Sequence, residues 1–438
     1  MPRAMDSHPK FRQAPNGSDP EDILQVGQER RVLEEPSVDR TRRALLGAIG
    51  LAIPTQAALA ADTAVDPRPE YGFTPGLTYL NTASLGPTPL SVRARMDAAW
   101  VELEQNPVFE TYNDGPLHLQ SDQAREQIAA LLGCRSTELL VTRSTTDAMN
   151  VLASGMRLDA GDHVLLTDQE HEGGTYCWTN LARRRGIVVE TIPIAPEDHD
   201  PDAIVARFAR AIRPRTRVVS ISHVISATGY LMPIPEIAAL ARKMDVLCVV
   251  DGAQALGQIP VDVKALGCHA YAAPGHKWLM GPKGTGMLYL APETRDEIEP
   301  VQLEDGHRFI SNSTGVGCLP LCIGLGAAAE AARKRGMASV RSRTLALRNQ
   351  AYEGLARIPG LRLASVPPGP GATALVAAHL PDAVESSAFR AALRTNHQVI
   401  VKMAEKRWFN GIRLSPHIFN DEEDVDRALR AIRQELAR

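Results

Sequence analysis

Between residues 160 and 260 the chain alternates two kinds of apolar pattern. Continuous, β-branched runs stand at Val164-Leu165-Leu166-Thr167, Ile187 to Ile192, Val218 to Ser222 and Val246 to Val250, each bounded by turn residues. Unbroken runs of that length fit strands covered on both faces, as in a parallel sheet. Helical spacing of apolar positions fills gaps between them, at Asp202 to Ile212 and Pro235 to Lys243. The order β-α-β-α predicts an α/β layer with helices on both faces, where ligands gather at the carboxyl ends of the strands. From about Gly324 the pattern is helical through Ala351, passes Pro367-Pro368-Gly369-Pro370-Gly371, and ends in a helix over Asp421 to Arg438. Asn420 with Glu423 predicts a capping box at its start. This last stretch reads as a smaller second domain.

The first sixty residues follow neither pattern. Met1 to Asp39 is polar and aperiodic, which predicts a disordered leader. Thr41-Arg42-Arg43 then opens an uncharged run, Ala44 to Ile53, followed by Pro54-Thr55-Gln56 and Ala58-Leu59-Ala60. A charged flank, a short apolar segment and an A-x-A end are the parts of an export signal, and the paired arginines resemble the twin-arginine type. A membrane anchor is the competing reading. A spanning helix needs about 20 predominantly apolar residues, and Gly47, Gly50, Pro54, Thr55 and Gln56 break the window. The expectation is therefore a periplasmic protein handed to the twin-arginine export machinery, with no stable membrane anchor, or a cytoplasmic one if the signal is silent. Such a substrate folds before it crosses, which suits a protein that loads a cytoplasmic cofactor first.

Charge narrows the partners. Across 438 residues, 48 Lys+Arg stand against 51 Asp+Glu, and the net charge of -3 carries no basic excess for tracking phosphates, so nucleic acid is not an expected partner. A small molecule is. The six cysteines have no framework spacing, and Cys318 to Cys322 lacks a second pair or a histidine cluster, so no metal site is expected. No G-x-x-x-x-G-K-[ST] loop is present. Gly324-Leu325-Gly326-Ala327-Ala328-Ala329 fits a dinucleotide fingerprint formally, but it lies late in the chain, where a helix opens.

The segment with most chemistry is His276-Lys277-Trp278-Leu279-Met280-Gly281-Pro282-Lys283-Gly284-Thr285-Gly286. A lysine on a glycine-rich turn suits a nucleophilic amine where backbone approaches a ligand closely, and Trp278 can supply a wall. By itself the segment reads more readily as a surface lysine next to a glycine turn. Twenty-six residues earlier, however, the run Val246 to Val250 delivers Asp251-Gly252-Ala253-Gln254 at a strand end. A carboxylate there can pair with a protonated pyridine nitrogen and make the ring an electron sink.

With these motifs the chain resembles the class V aminotransferases, whose motifs appear in order along most of residues 75–438. The resemblance implies a fold-type I pyridoxal-phosphate enzyme: α/β, with a large domain carrying a mostly parallel, seven-stranded-type sheet and a smaller C-terminal α+β domain. The expected boundaries are a leader and signal at 1–60, an N-terminal arm at 61–90, a large domain at 91–322 and a small one at 323–438. It implies further that Lys277 holds pyridoxal 5'-phosphate covalently, that Asp251 holds its ring nitrogen and that Gln254 approaches its phenolic oxygen. Thr145 and Thr146, in Thr142-Arg143-Ser144-Thr145-Thr146-Asp147, match the phosphate loop, where hydroxyls and amides at a helix start bind anions. His171, in Gln169-Glu170-His171-Glu172, matches the histidine that stacks over the ring. Ser226 stands where many members have asparagine, and Pro274 where a phosphate-binding serine is frequent; His276 is the candidate to compensate. Ser313 or Thr314 matches a residue presented to the partner subunit's phosphate, which implies a homodimer with its active site at the interface. Arg413, in Gly411-Ile412-Arg413-Leu414-Ser415, matches the arginine that grips the substrate carboxylate in a planar fork.

Within the family, Tyr79 to Pro87, including the substrate-side candidate Asn81, together with Asn106-Pro107-Val108 and His276-Lys277-Trp278, looks most like the isopenicillin N epimerase-like branch. Cysteine desulfurases need a nucleophilic cysteine on a mobile loop; the matching position is Val399, and no cysteine follows Cys322, which argues against that activity. Aminotransfer, epimerisation and elimination stay open. A periplasmic enzyme tailoring a peptide siderophore is the runner-up role, and a cofactor-fold binding module without catalysis the second alternative.

Overall fold

The structure is a computed structural model that describes residues 68–112, 115–299 and 317–438. The four apolar runs all form strands. A seven-stranded sheet consists of β2 (Leu139–Thr142), β3 (His163–Thr167), β4 (Val188–Ile192), β5 (Thr216–Ser222), β6 (Leu247–Asp251), β7 (Ala270–Pro274) and β8 (Gly286–Leu290), in the order β2-β8-β7-β6-β5-β3-β4. Of these only β8 runs against the others. Its central strands are buried on both faces, Val249 and Val250 at 0% exposure, which is why their sequences carry no polar alternation.

Helices precede and fill this sheet: α1 (Leu90–Gln105), α2 (Pro107–Tyr112), α3 (Pro116–Leu132), α4 (Thr145–Gly155), α5 (Glu172–Arg185), α6 (Pro201–Ala211), α7 (Ile234–Lys243) and the single turn α8 (Val263–Leu266). The expected helices at 202–212 and 235–243 are α6 and α7. The crossovers deliver five strand ends to one edge, and that edge carries the functional residues.

The helical stretch from Gly324 to Ala351 is two helices, α9 (Leu319–Arg335) and α10 (Met337–Ala356), broken at Gly336 with φ 79°. The dinucleotide-like glycines lie inside α9 and serve packing: a Cβ on Gly326 would sit 2.3 Å from the Cβ of Ala124 in α3, and one on Gly324 2.5 Å from Met96. A four-stranded antiparallel sheet follows, formed by β9 (Arg362–Leu363), β10 (Val376–His379), β12 (Lys402–Met403) and β13 (Gly411–Leu414), while β11 (Val399–Ile400) pairs in parallel with β1 (Thr78–Tyr79) near the start of the chain. Helices α11 (Ser386–His397) and α12 (Glu422–Leu436) cover it.

The cap of α12 differs from expectation. Asp421 is the N-cap, accepting the Asp424 amide at 2.8 Å. Asn420 is buried instead, its Oδ1 accepting the His417 amide and its Nδ2 donating to the Tyr79 carbonyl and Asp424. Among the described residues no helix is long and apolar enough to cross a membrane. The expected leader and export signal lie outside the described residues.

Candidate active site

A cavity of about 290 Å³ opens at the carboxyl edge of the sheet. Thr145, Thr146, His171, Ser226, Asp251, Gln254, His276, Lys277 and Arg413 all line it, although they are spread over almost 270 residues of chain. Arg413 comes from within β13, and the rest from a strand end or the loop after it: Ser144 and Thr145 after β2, His171 after β3, Ser222 at the end of β5, Asp251 at the end of β6, and His276 and Lys277 after β7. Pro274 also lines the wall, with His276 beside it.

Asp251 is buried. Its Oδ1 accepts the Ala253 amide at 2.8 Å, and Gly174 presses on the other oxygen so closely that a Cβ there would lie 2.9 Å from Oδ2. Loss of hydration raises its pKa, opposed by Lys277, the Ala253 amide and His171. Lys277 shows the reverse: burial lowers its amine to about 8, Asp251 pulls it up, and Arg413 and Lys402 push it down. Behind Asp251, the buried Glu170 accepts Thr167 Oγ1 at 2.6 Å and Ser222 Oγ at 2.5 Å. Burial raises its carboxyl to about 7, against those two hydrogen bonds. Neither Glu170 nor its partners were singled out from the sequence.

His171 caps α5, its Nδ1 accepting the Gly173 amide at 3.0 Å, which turns Nε2 toward Glu405 at 3.8 Å. Burial lowers its pKa, with Lys277 adding to the effect. His276 is lowered to about 4 by burial and then by Lys277 and Lys283, so it is neutral at pH 7.

Trp278 does not line the cavity. It is fully buried on the far side of the turn, where its Nε1 donates to Gln254 Oε1 at 2.8 Å. That bond fixes the amide of Gln254, whose Nε2 donates to the Ala83 carbonyl at 3.0 Å and faces Ser226 Oγ at 3.4 Å. Ser226 in turn takes Arg413 Nη1 at 2.9 Å on its hydroxyl and at 2.6 Å on its carbonyl. The serine that replaces the familiar asparagine thus links Gln254 to Arg413. Asn81 is set back from the wall, bridging Ser415 through its backbone with a buried, partnerless Oδ1; Ala83 and Ser84 line the cavity from that segment. Ser313 and Thr314 lie outside the described residues.

The arrangement fits a phosphorylated pyridine aldehyde. Thr145 Oγ1 is buried without a partner at the start of α4, whose first amides face the cavity end, and Ser144 is spent capping Asp147. A Cβ on Gly173 would lie 2.6 Å from Thr146 Oγ1, so glycine keeps that cradle open. Arg413 Nε is likewise buried without a partner.

A second lip, missed in the sequence, consists of Lys402, Met403, Ala404, Glu405 and Trp408. The signal available was the charged cluster Lys402 to Trp408 just before the arginine strand. Among the described residues no cysteine lines the cavity, and Val399 is buried in β11. Nor do the described residues include a cluster suited to a metal ion.

The profile of the class-V aminotransferases matches residues 78–428. Isopenicillin N epimerase of Streptomyces clavuligerus is 31% identical over 82% of this chain and 94% of its own, and that of Amycolatopsis lactamdurans 32% over 84% and 97%. A probable cysteine desulfurase of Methanothermobacter thermautotrophicus is 30% identical over 65% of this chain and 73% of its own. Among solved structures, the cystine C-S lyase C-DES bound to its product cysteine persulfide has a TM-score of 0.76 at 25% identity, covering 82% of this chain and 98% of that one. The apo cysteine desulfurase of Thermococcus onnurineus NA1 has a TM-score of 0.75 at 23% identity over 85% and 98%, a likeness of fold. With a family profile running through residues 78–428 and two relatives above 30% identity across more than four fifths of its length, this chain belongs to the class-V aminotransferase family.

Proposed function

We propose that this chain is a pyridoxal-phosphate-dependent enzyme acting at the Cα of an amino acid or an amine-bearing peptide, of the aminotransferase or epimerase type. The observation that carries the reading is Lys277, an amine held near pKa 8, in one cavity with a buried Asp251 and a buried Arg413. When bound, the cofactor supplies the sink for the electron pair left at Cα. Lys277 would hold it covalently, and its amine would move the proton at the substrate Cα. Asp251 would pair with the ring nitrogen, and His171 would cover the ring face. Thr145, Thr146 and the amides of α4 would hold the phosphate, with neutral His276 able to donate a hydrogen bond. Gln254 and Ser226 would flank the phenolic oxygen, and Arg413 would fork the substrate carboxylate. The two epimerase relatives favour proton return at Cα over amino transfer.

In this reading the protein is a homodimer. Leu90, Trp100, Val101, Val108, Phe109 and Leu119 on α1–α3 are exposed, and exposed apolar side chains in such number mark interaction surfaces. The paired Arg42-Arg43 would direct it to the periplasm, where a peptide siderophore is the runner-up substrate.

The visible absorption of the purified protein, beside Lys277→Ala and before and after borohydride, tests the cofactor. A band that borohydride removes in the parent and that never forms in the variant is the expected result; a parent that stays colourless with added pyridoxal phosphate would leave a binding module. Amino donors in deuterium oxide then separate the chemistries. Deuterium at an inverted Cα marks epimerisation and a keto acid marks aminotransfer. Sulfide from cysteine or cystine would move the assignment toward the desulfurase relatives.

A further inference from the structure

Lys402 lines the cavity, yet the chemistry proposed above gives it no task. It lies in β12 directly across from Arg413 in β13. Opposite residues of an antiparallel pair project to the same face with Cβ atoms about 4.5–5.5 Å apart, so two cations share one wall. Arg413 is held by neutral acceptors, Ser226 through Nη1 and Ser84 Oγ through Nη2 at 3.4 Å, while its Nε is buried without a partner. The Lys402 ammonium has no hydrogen-bond or ion-pair partner among the described residues. Glu405 is the acid of this lip, but Arg407 Nε holds its carboxylate at 3.0 Å and its other oxygen faces His171.

Like charges directly opposite each other in a sheet are destabilising, and removal from water sharpens the conflict. Burial lowers Arg413 to about 10 and lowers Lys402 as well, Arg413 and Arg390 adding to the second shift, while Glu405 opposes both without cancelling either. A cation pair of this kind, whose one nearby acid, Glu405, is already engaged by Arg407 and contacts neither cation directly, is matched by a ligand that carries two anionic groups. The planar guanidinium suits one carboxylate, and the flexible ammonium takes another whose position is less constrained. The cofactor phosphate has its own cradle at the start of α4.

Resting on the function proposed above, we propose that the site selects a dicarboxylic amino substrate, its α-carboxylate at Arg413 and a second, more distant acid group at Lys402. An amino acid with a neutral side chain leaves the Lys402 charge unpaired in the wall and is disfavoured.

Calorimetry with amine-free probes tests this on the full chain loaded with pyridoxal phosphate, loading being checked by the visible band. Glutarate, adipate and pimelate are compared with pentanoate in the parent, in Lys402→Gln and in Lys402→Arg. At least one diacid is expected to bind the parent tenfold or more tighter than pentanoate. Lys402→Gln should lose about tenfold to a hundredfold toward that diacid, the range of one charge-assisted hydrogen bond, and the diacid preference should collapse. Lys402→Arg should keep most of it. Diacids binding the parent no tighter than pentanoate would overturn the proposal, and this comparison needs no variant to fold. Equal weakening of diacid and pentanoate in Lys402→Gln would also overturn it, because Lys402 would then share the single carboxylate at Arg413. A parent without a visible band sinks the cofactor reading instead, and diacid binding still reads the two cations independently.

Discussion

Lys277 stands between opposing influences, and their balance can be measured. With a pKa of about 8, roughly a tenth of the amine is neutral at pH 7, against about four in ten thousand for an ordinary lysine. Only the neutral amine attacks an aldehyde, so the apoprotein should take up pyridoxal phosphate at a rate that climbs through pH 8. Asp251 stabilises the ammonium, so Asp251→Asn should move that climb to lower pH. Arg413→Met, which removes a repelling cation, should move it higher. Stopped-flow growth of the visible band across a pH series reads both shifts; a midpoint near 10 in the parent, or an upward move in Asp251→Asn, would contradict the electrostatic account. Lys277 and Asp251 were legible in the sequence because Asp251 closes a buried apolar run and Lys277 stands just before a glycine-rich turn. Lys402 and Glu405 were not, since β12 is two residues long and carries no periodicity, and its importance comes only from pairing with Arg413.

Among the elements, the long buried strands and amphipathic helices announced themselves, whereas strands read jointly with their neighbours did not. The strand β7, Ala-Tyr-Ala-Ala-Pro, is buried throughout yet carries no β-branched residue, and β8 is recognisable only as the reversed partner of β2 and β7. The cap of α12 shows the same limit. Spacing alone favours Asn420, but tertiary burial recruits that side chain to tie β1 to the helix, and Asp421 caps. Replacing the exposed cap, Asp421→Ala, should therefore cost about 1 kcal/mol. Asn420→Ala leaves the His417 amide and the Tyr79 carbonyl without their buried partner and should cost more, about 2–4 kcal/mol. Urea unfolding of the two variants orders them, and a larger loss for Asp421→Ala would contradict the buried tie assigned to Asn420.

At the scale of the whole molecule, one cavity gathers side chains from both sheets, so a subunit supplies the lysine, the ring carboxylate and the arginine by itself. What the resemblance adds from outside is a hydroxyl, Ser313 or Thr314, given to the neighbouring subunit's phosphate. In a two-fold dimer such sharing is reciprocal, and reciprocity makes a quantitative prediction. On that reading Lys277→Ala would spoil the site in which it sits, whereas Ser313→Ala with Thr314→Ala would spoil the partner's. A mixed dimer of the two variants then holds one site with every group intact and one with neither. Random reassortment makes about half of the dimers mixed, so two weakened preparations should recover about a quarter of parent activity when combined. If the hydroxyl serves its own subunit, each mixed dimer has two damaged sites and mixing restores nothing. Charging the exposed apolar surface with Trp100→Glu and Val101→Glu provides the control: monomeric subunits in sedimentation equilibrium should neither work alone nor complement, because the shared hydroxyl has no neighbour to reach.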